Sequence, residues 1–269
     1  MRLGDICSKI GSGATPRGGK EAYSASGIPI IRSQNVLDWS FSSNGLAYLN
    51  DEQARTLSNV EVHQGDILLN ITGDSVARAC IVPSDVIPAR VNQHVAILRP
   101  KEKANATFIL AWLQTNKDLL LKLASSGATR NALTKRMLEG LDINLPSIDI
   151  QNHIAALISL IQSKINLNIK LNGYLLELAT TRFEQALFKS NRVVRLGDIV
   201  KLEDSKRVPL NSRDRDARKG PYPYYGATSI MDYVDDYLFD GIRVLLGEDG
   251  SVIDESGRPI LQYVWENTG

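Results

Sequence analysis

Apolar residues recur along this chain in two rhythms, and the change of rhythm marks its organisation. In the N-terminal part they come as short runs separated by glycine, serine and asparagine, the pattern of strands joined by loops. Val60-Glu61-Val62 and Ile67-Leu68-Leu69 predict half-buried strands from their alternation and β-branched content, and Val95-Ala96-Ile97-Leu98 predicts a further apolar strand. Ile28-Pro29-Ile30-Ile31 predicts a short strand at a sheet edge, because proline has no N–H to give to a ladder. A helical portion runs from Ala106 to Leu123 and carries Phe108, Leu110, Trp112 and Leu113. Residues 1–146 thus read as an α+β domain with a mixed or antiparallel sheet.

After Pro146 the rhythm becomes helical. Between Ser147 and Lys189 there is no proline, and Gly173 is the first interior glycine. Ile154, Leu157, Ile161, Leu171, Leu175 and Leu178 follow steps of three and four residues, interrupted at Lys164 and Asn168, as in the a/d seam of a coiled coil. Ile158, Ile165, Leu176 and Phe183 widen that seam. At the α-helical rise such a helix reaches on the order of 65 Å, far longer than an ordinary globular helix. Two readings stand: a spacer whose seam faces another helix, and a buried core helix. Asn168 at an a position costs stability and usually serves to fix register or partner number.

A repeat frames this helix. Arg2-Leu3-Gly4-Asp5-Ile6 returns as Arg195-Leu196-Gly197-Asp198-Ile199. Gly27-Ile28-Pro29-Ile30-Ile31 is echoed by Tyr222-Pro223-Tyr224-Tyr225, and Gly65-Asp66-Ile67-Leu68-Leu69 by Gly241-Ile242-Arg243-Val244-Leu245-Leu246. Three collinear matches with divergent loops between them predict two copies of one domain, 1–146 and 191–269, joined by a spacer over 147–190.

Composition narrows the chemistry. The 269 residues are 43% hydrophobic and 23% charged, an ordinary globular balance, and the formal net charge is only +1, so any nucleic-acid surface must be local. Cys7 and Cys80 are the only cysteines, and His63, His94 and His153 are scattered, so neither a disulfide framework nor a Cys/His zinc cluster forms at normal spacing. No stretch is apolar enough to span a bilayer and Met1-Arg2-Leu3-Gly4-Asp5-Ile6 is no signal peptide, which predicts a cytoplasmic protein with no membrane partner.

Candidate chemistry sits in the loops. Gly11 to Lys20 invites a phosphate-loop reading, but Ala14 stands where the motif needs glycine and Glu21 follows the lysine; what remains is a loop carrying Thr15, Arg17 and Lys20 that would approach a DNA backbone. Arg32-Ser33-Gln34-Asn35, Thr72-Gly73-Asp74-Ser75 with Arg78, and Ser125-Ser126-Gly127-Ala128-Thr129-Arg130-Asn131 followed by Lys135 and Arg136 supply guanidinium, amide, hydroxyl and ammonium groups. Arginine suits guanine edges, asparagine and glutamine suit adenine, and serine or threonine suits base or phosphate. An ordinary polar surface accounts for each loop singly. His94, after Asn92-Gln93, has no nucleophile or carboxylate at a recognisable spacing and reads as structural.

In the second copy Lys201 to Lys219 mixes Lys206, Arg207, Arg213, Arg215 and Arg218 with Asp204, Asp214 and Asp216, open to a solvated-loop or a DNA reading. Tyr222, Tyr224 and Tyr225 fit strand packing before base stacking, and Asp235, Asp236, Asp240, Glu248 and Asp249 fit acidic turns before a metal site. No dinucleotide fingerprint, nucleophile elbow, zinc-protease helix or Asn-Pro-Pro-aromatic tetrapeptide occurs, which predicts a chain that recognises and does not catalyse.

These residues resemble the specificity-subunit (S) family of type I restriction-modification enzymes. The likeness rests on the paired Arg-Leu-Gly-Asp-Ile, Ser12-Gly13-Ala14-Thr15-Pro16, Gly27 to Arg32, Gly65 to Leu69, Asn92-Gln93-His94-Val95, and Leu145-Pro146 leading to Gln151 and the helix of Ile154, Ala155, Ile158, Ile161 and Lys164-Ile165. The resemblance implies a target-recognition domain that reads one half of a split double-stranded DNA site, a spacer helix, and docking of methyltransferase (M) subunits with restriction (R) subunits joining through the complex. It places S-adenosylmethionine, ATP and Mg²⁺ on those partner subunits and no cofactor on this chain. Subtracting the 193-residue offset of the repeat, Gly269 corresponds to position 76, so the resemblance implies a second recognition domain cut short. The helix seam would then need a partner, with a homodimer through the spacer as the simplest. A protein-binding coiled-coil adaptor, or a fragment of a methyltransferase or endonuclease fused to a recognition domain, are the alternatives.

Overall fold

The short apolar runs pair into two sheets because each strand has a second apolar face to cover. The structure is a computed structural model that describes residues 1–16, 18, 22–125, 131–190, 192–247, 252–253 and 257–265. The chain divides into two compact units, Met1–Arg182 and Phe183–Gly269. In the first unit the order is α1 (Leu3–Ile6), β1 (Cys7–Ser12), β2 (Ile28–Ile31), β3 (Ala47–Leu49), α2 (Asp51–Thr56), β4 (Glu61–Val62), β5 (Ile67–Asn70), β6 (Ala79–Ile81), β7 (Ala89–Val91) and β8 (Val95–Pro100). Helices α3 (Ala106–Thr115), α4 (Lys117–Ser125), α5 (Lys135–Glu139) and α6 (Ile148–Lys189) follow.

One sheet has the order β1-β8-β5-β6 and is wholly antiparallel. The other, β3-β2-β7-β4, contains a parallel β2–β7 pair and is therefore mixed. The first sheet is the middle layer. Ile67, Leu69, Ala96 and Leu98 pack toward α1, α3, α4 and α5, while Leu68, Val95 and Ile97 point the other way into the second sheet. Alternate residues of a strand face opposite sides, so a strand covered on both must be apolar throughout. This is why β5 is buried at every position, where the sequence pattern predicts half burial.

One further expectation is corrected and another is made finer. Strand β2 is interior, not an edge: Pro29 lies opposite Tyr48 of β3, and pairing to β7 begins only at Ile30. Proline is tolerated because the β7 ladder does not reach it. The helical portion is two helices, broken at Asn116, whose amide donates to the Trp112 carbonyl (2.8 Å) and ends the first.

The Gly-Asp-Ile-Leu-Leu motif turns out to be an electrostatic clasp. Asp66 is fully buried; its carboxylate accepts from Arg99 Nε and Nη2, both at 2.7 Å, and from the His63 backbone N–H at 2.7 Å. Arg99 also donates to the Glu61 carbonyl (3.1 Å), joining β8 to the start of β4.

Helix α6 is long and bare. Gln151 and Ala155 are buried, but beyond Ala155 no residue of it is, and Leu157 and Ile161 are each 63% exposed. The buried-core reading is thereby excluded. Gln151 fastens its first turn to the domain: the side chain accepts from the Asn105 N–H (2.9 Å) and donates to the carbonyls of Pro146 (2.8 Å) and Lys103 (3.2 Å).

Both cysteines are free and buried, and burial pushes each thiol up to about 12. Neither should react with a thiol reagent at pH 8 until the domain unfolds; rapid labelling of the folded chain would contradict this burial. Folded pKa values above the ordinary one mean that the neutral thiols contribute stability below about pH 9, lost as pH rises from 9 toward 12.

The second unit contains α7 (Ser212–Ala217), an antiparallel pair β9 (Lys219–Tyr225) and β10 (Ile230–Val234), and a second antiparallel pair β11 (Arg243–Leu246) and β12 (Leu261–Val264). Gly241 (φ 88°) precedes β11 as Gly65 (φ 83°) precedes β5, a backbone echo of the repeat.

Candidate nucleic-acid interface

Strand order decides which loops meet. In the middle sheet Ser12 of β1 lies opposite Ala96, Asn70 of β5 opposite Val95, and Leu69 opposite Ala79 of β6, so the end of β1, the end of β5 and the starts of β6 and β8 share one edge. The ends of β2 and β7 arrive at the same edge, since Ile31 pairs with Val91 and residues 92–94 connect β7 to β8. Five loop segments therefore converge there: 13–16, 32–35, 71–78, 92–94 and 131–134.

Backbone bonds fix them against one another. Gly13 and Ala14 donate to the carbonyls of Val95 (2.9 Å) and Val91 (3.0 Å). A Cβ on Gly13 would stand 2.0 Å from the Val91 oxygen, so only glycine lets the chain pass this close. Ile71 donates to His94 and Leu133 donates to Ile71 (3.0 and 2.8 Å), and Gly73 donates to the Asn131 carbonyl (3.3 Å). Asn70, buried at the tip of β5, gives its amide protons to the carbonyls of Ser33 (2.9 Å) and Val36 (3.2 Å). The 32–35 loop is thus pinned to the Asn70 side chain, while the Asn70 backbone pairs with Ala77 and Arg78 of the 71–78 loop.

Thr15 and Gln34 are exposed at this end, and Gln34 donates to the Gly45 carbonyl at 3.3 Å. Arg32 is partly exposed, donates to the same carbonyl and lies 5.9 Å from the centre of the Tyr23 ring. Asn35 is the clear correction. It is fully buried, accepts from the Arg32 N–H (3.0 Å) and donates to the carbonyls of Ser42 (2.9 Å) and Asn44 (3.1 Å), so its amide shapes the loop and is not free for a base.

Thr72 Oγ1 lies 2.7 Å from His94 Nδ1, and Gln93 Nε2 lies 3.1 Å from His94 Nε2. An amide nitrogen only donates, so His94 Nε2 accepts and the ring proton sits on Nδ1, facing Thr72. The Thr72 hydroxyl is held against the histidine ring. The third member of this relay is an amide, which offers no negative charge to steady an imidazolium, so the arrangement suits recognition better than proton transfer. Ser75 and Arg78 are partly exposed in the same loop, and the Arg78 guanidinium has no hydrogen bond or ion pair among the described residues. Asn131 is exposed. Lys135 is exposed on α5 and stands 3.5 Å from Glu139. Arg17, Lys20, Arg130 and Ser126 to Thr129 lie outside the described residues.

The sequence pattern overlooks Asn70 and demotes His94. A polar residue closing the apolar run Ile67-Leu68-Leu69 is the signal for the first; nothing local marks the second.

The second unit offers no comparable face. Lys206 pairs with Glu203 (2.9 Å), Arg207 with Asp204 (3.6 Å), Arg218 with Asp235 (2.9 Å), and Lys219 with Asp232 (2.7 Å) and Asp216 (3.2 Å). Those bonds hold Lys219 above and Asp232 below their ordinary pKa values. Tyr224 accepts from the Leu210 N–H (2.8 Å) beneath Arg215, and Tyr222 packs on Tyr237 with ring centres 4.9 Å apart. Lys206, Arg207, Arg218, Lys219, Tyr222 and Tyr224 are thus engaged internally. Among the described residues no group of three metal-ligating side chains occurs; Glu248 and Asp249 lie outside them. No described helix is long and apolar enough to cross a membrane.

Along α6 the seam positions Ile154, Leu157, Ile161, Asn168, Leu171, Leu175 and Leu178 are all exposed. Leu160, Leu167 and Tyr174, each exposed and seven residues apart, add a flank that the heptad pattern alone leaves out.

Comparison with known proteins accords with this architecture. A crystal structure of the type I restriction-modification S subunit from M. genitalium superimposes with a TM-score of 0.51 at 15% identity, over all of this chain and 68% of that one, which speaks to the fold alone. The HsdS subunit from Thermoanaerobacter tengcongensis matches at 21% identity and TM-score 0.45, over 62% of this chain and 37% of that one. A Haemophilus influenzae protein assigned as a type I restriction enzyme specificity subunit is 41% identical over 56 residues, 21% of this chain and 14% of its own length, so the chain spans only part of these relatives. The profile of the type I restriction modification DNA specificity domain covers residues 1–176, well over half the chain, and the protein belongs to that family.

Proposed function

We propose that the first unit reads duplex DNA with the loop-bearing edge of its two sheets, as the non-catalytic recognition part of a type I restriction-modification complex. One observation carries the reading: Gln34, Thr72, Arg78 and Asn131, far apart in sequence, gather polar side chains at least partly exposed at a single edge. Residues 1–146 act as the target-recognition domain for one half of a split site, 147–190 as the spacer and 191–269 as a second copy of the recognition module. Helix α6 offers its apolar faces to other helices, those of M subunits or of a second copy of this chain, and R subunits join through the complex. Methyl transfer and cleavage, with S-adenosylmethionine, ATP and Mg²⁺, fall to the partners.

Alanine at Thr72 or Arg78 should weaken binding to a selected duplex by about 1–3 kcal/mol when the lost group reads a base. A phosphate contact would instead lower the slope of log K against log salt by about one. Asn35→Ala should act differently, costing about 2 kcal/mol of folding stability through its lost loop bonds. Mobility-shift titrations with the complex, beside urea unfolding of the free chain, separate the two effects. Unchanged specific binding after alanine at Gln34, Thr72, Arg78 and Asn131 together would remove this edge from consideration.

A further inference from the structure

Gln34 and Arg32 lean on one oxygen. Both donate to the Gly45 carbonyl, through Gln34 Nε2 at 3.3 Å and through Arg32 Nη2. A carbonyl oxygen has two lone pairs, and these donors match them. Arg32 is only partly exposed, with its Nε buried and its guanidinium near the Tyr23 ring, so the exposed amide of Gln34 is the more displayed of the two. Because a carbonyl only accepts, it decides how that amide is turned. The nitrogen faces Gly45, and Oε1 and the second amide proton are left over, without a partner among the described residues.

The backbone beneath Gln34 is fixed on both flanks. Ser33–Asn35 is a single 3₁₀ turn. Asn70 Nδ2 donates to the carbonyls of Ser33 and Val36, the Asn35 amide donates to those of Ser42 and Asn44, and the Ser42 N–H donates to the Asn35 carbonyl (2.8 Å). Gly45 has a φ of 62°, and a Cβ there would stand 2.6 Å from Gln34 Nε2. A larger residue at 45 therefore displaces the amide.

We propose that Gln34 reads adenine in the major groove and that Gly45 is the positioning residue that sets its amide. The inference rests on the reading that this edge meets DNA. An acceptor and a donor remain on Gln34, and adenine shows a matching pair, the N6 donor beside the N7 acceptor; guanine shows two acceptors, and cytosine and thymine one polar group each. The Gly45 oxygen and the pinned turn remove the freedom of the amide before DNA arrives, so less ordering is left for binding.

Selection of duplexes from a randomised library by the full chain, alone and with methyltransferase subunits, tests the proposal. Q34A should lose a preference for adenine at one base pair by roughly tenfold or more and leave the other positions unchanged. Q34E cannot donate to Gly45 and offers only acceptors, so it should move the preference at that base pair toward cytosine. G45A should relax the same base pair, and Q34A/G45A should relax it no further than Q34A; a merely structural loss lowers binding to every duplex alike. The Q34A arm stands if G45A folds poorly, since an exposed side chain is removed and the urea midpoint should hold. Additive losses in the double variant overturn the role of Gly45. A Q34A profile equal to the wild-type one, or a relaxed position that prefers a base other than adenine, overturns the proposal; the edge itself survives when Thr72 and Arg78 variants still alter selection. If no variant at the edge alters selection, or nothing is enriched, the edge reading falls and this proposal with it.

Discussion

Asp66→Ala is expected to destabilise the first unit by about 3 kcal/mol, since it strips the partly buried Arg99 of its hydrogen-bonded carboxylate, leaving only the weaker pull of Glu61, and leaves the His63 N–H with no acceptor. For a unit of this size that is a fall in Tm of roughly 6–12 °C. The sequence offers Gly-Asp-Ile-Leu-Leu only as a repeated motif; the structure gives the acid its reason. Asp66 is fully buried and holds the guanidinium through two bonds of equal length. Part of the Arg99 side chain still reaches water, which keeps the figure at the lower end for a broken buried pair. Adding Arg99→Leu should recover a good part of the loss, because the unpaired charge goes with it. Urea unfolding of the two single variants and the double variant closes the cycle. A loss below about 1 kcal/mol for Asp66→Ala would mean that solvent screens the pair and that the motif is kept for another reason.

The second large effect concerns association. Two aspartates, L171D and L178D, should dissociate any complex that α6 forms with another helix, while leaving the thermal unfolding of residues 1–146 unchanged. Both side chains are about half exposed in the single chain, so the charges cost little there. In a packed seam each would be buried without a partner, and two such penalties exceed what one helix pair contributes. Light scattering over a concentration series reads this for the isolated chain, and co-purification reads it for the complex. Association that survives both changes would move the contact to another face, such as the flank of Leu160, Leu167 and Tyr174.

How much of this was legible beforehand follows from how local each signal is. The 42-residue helix is legible because its spacing is written in neighbouring residues. Its anchor is not, for Gln151 reaches back to Lys103 and Asn105, and nothing within a turn of the helix announces them. The strands are legible as apolar runs, but their two-sided burial depends on a second sheet whose members are spread from β2 to β7. Asn35 shows the same limit at the site. An asparagine beside Arg32 and Gln34 looks like a base reader until Ser42 and Asn44 arrive to take its amide. The gathering of five loops at one edge is a property of the strand order β1-β8-β5-β6 and of the shared ends of β2 and β7, which no segment contains alone.

That edge has a consequence for how such a protein can change. The bonds that hold the loops in place are made largely by backbone groups, that of Gly13 among them, and by two side chains, Asn35 and Asn70, while Thr15, Gln34 and Asn131 lie outside the apolar core. Exchanging an outward residue alters what the edge displays and costs almost nothing in folding; exchanging a fastening residue costs stability and teaches the edge nothing new. A lineage carrying this scaffold can therefore drift through many displayed patterns without crossing an unfolded intermediate, and preference for a new sequence becomes reachable one substitution at a time.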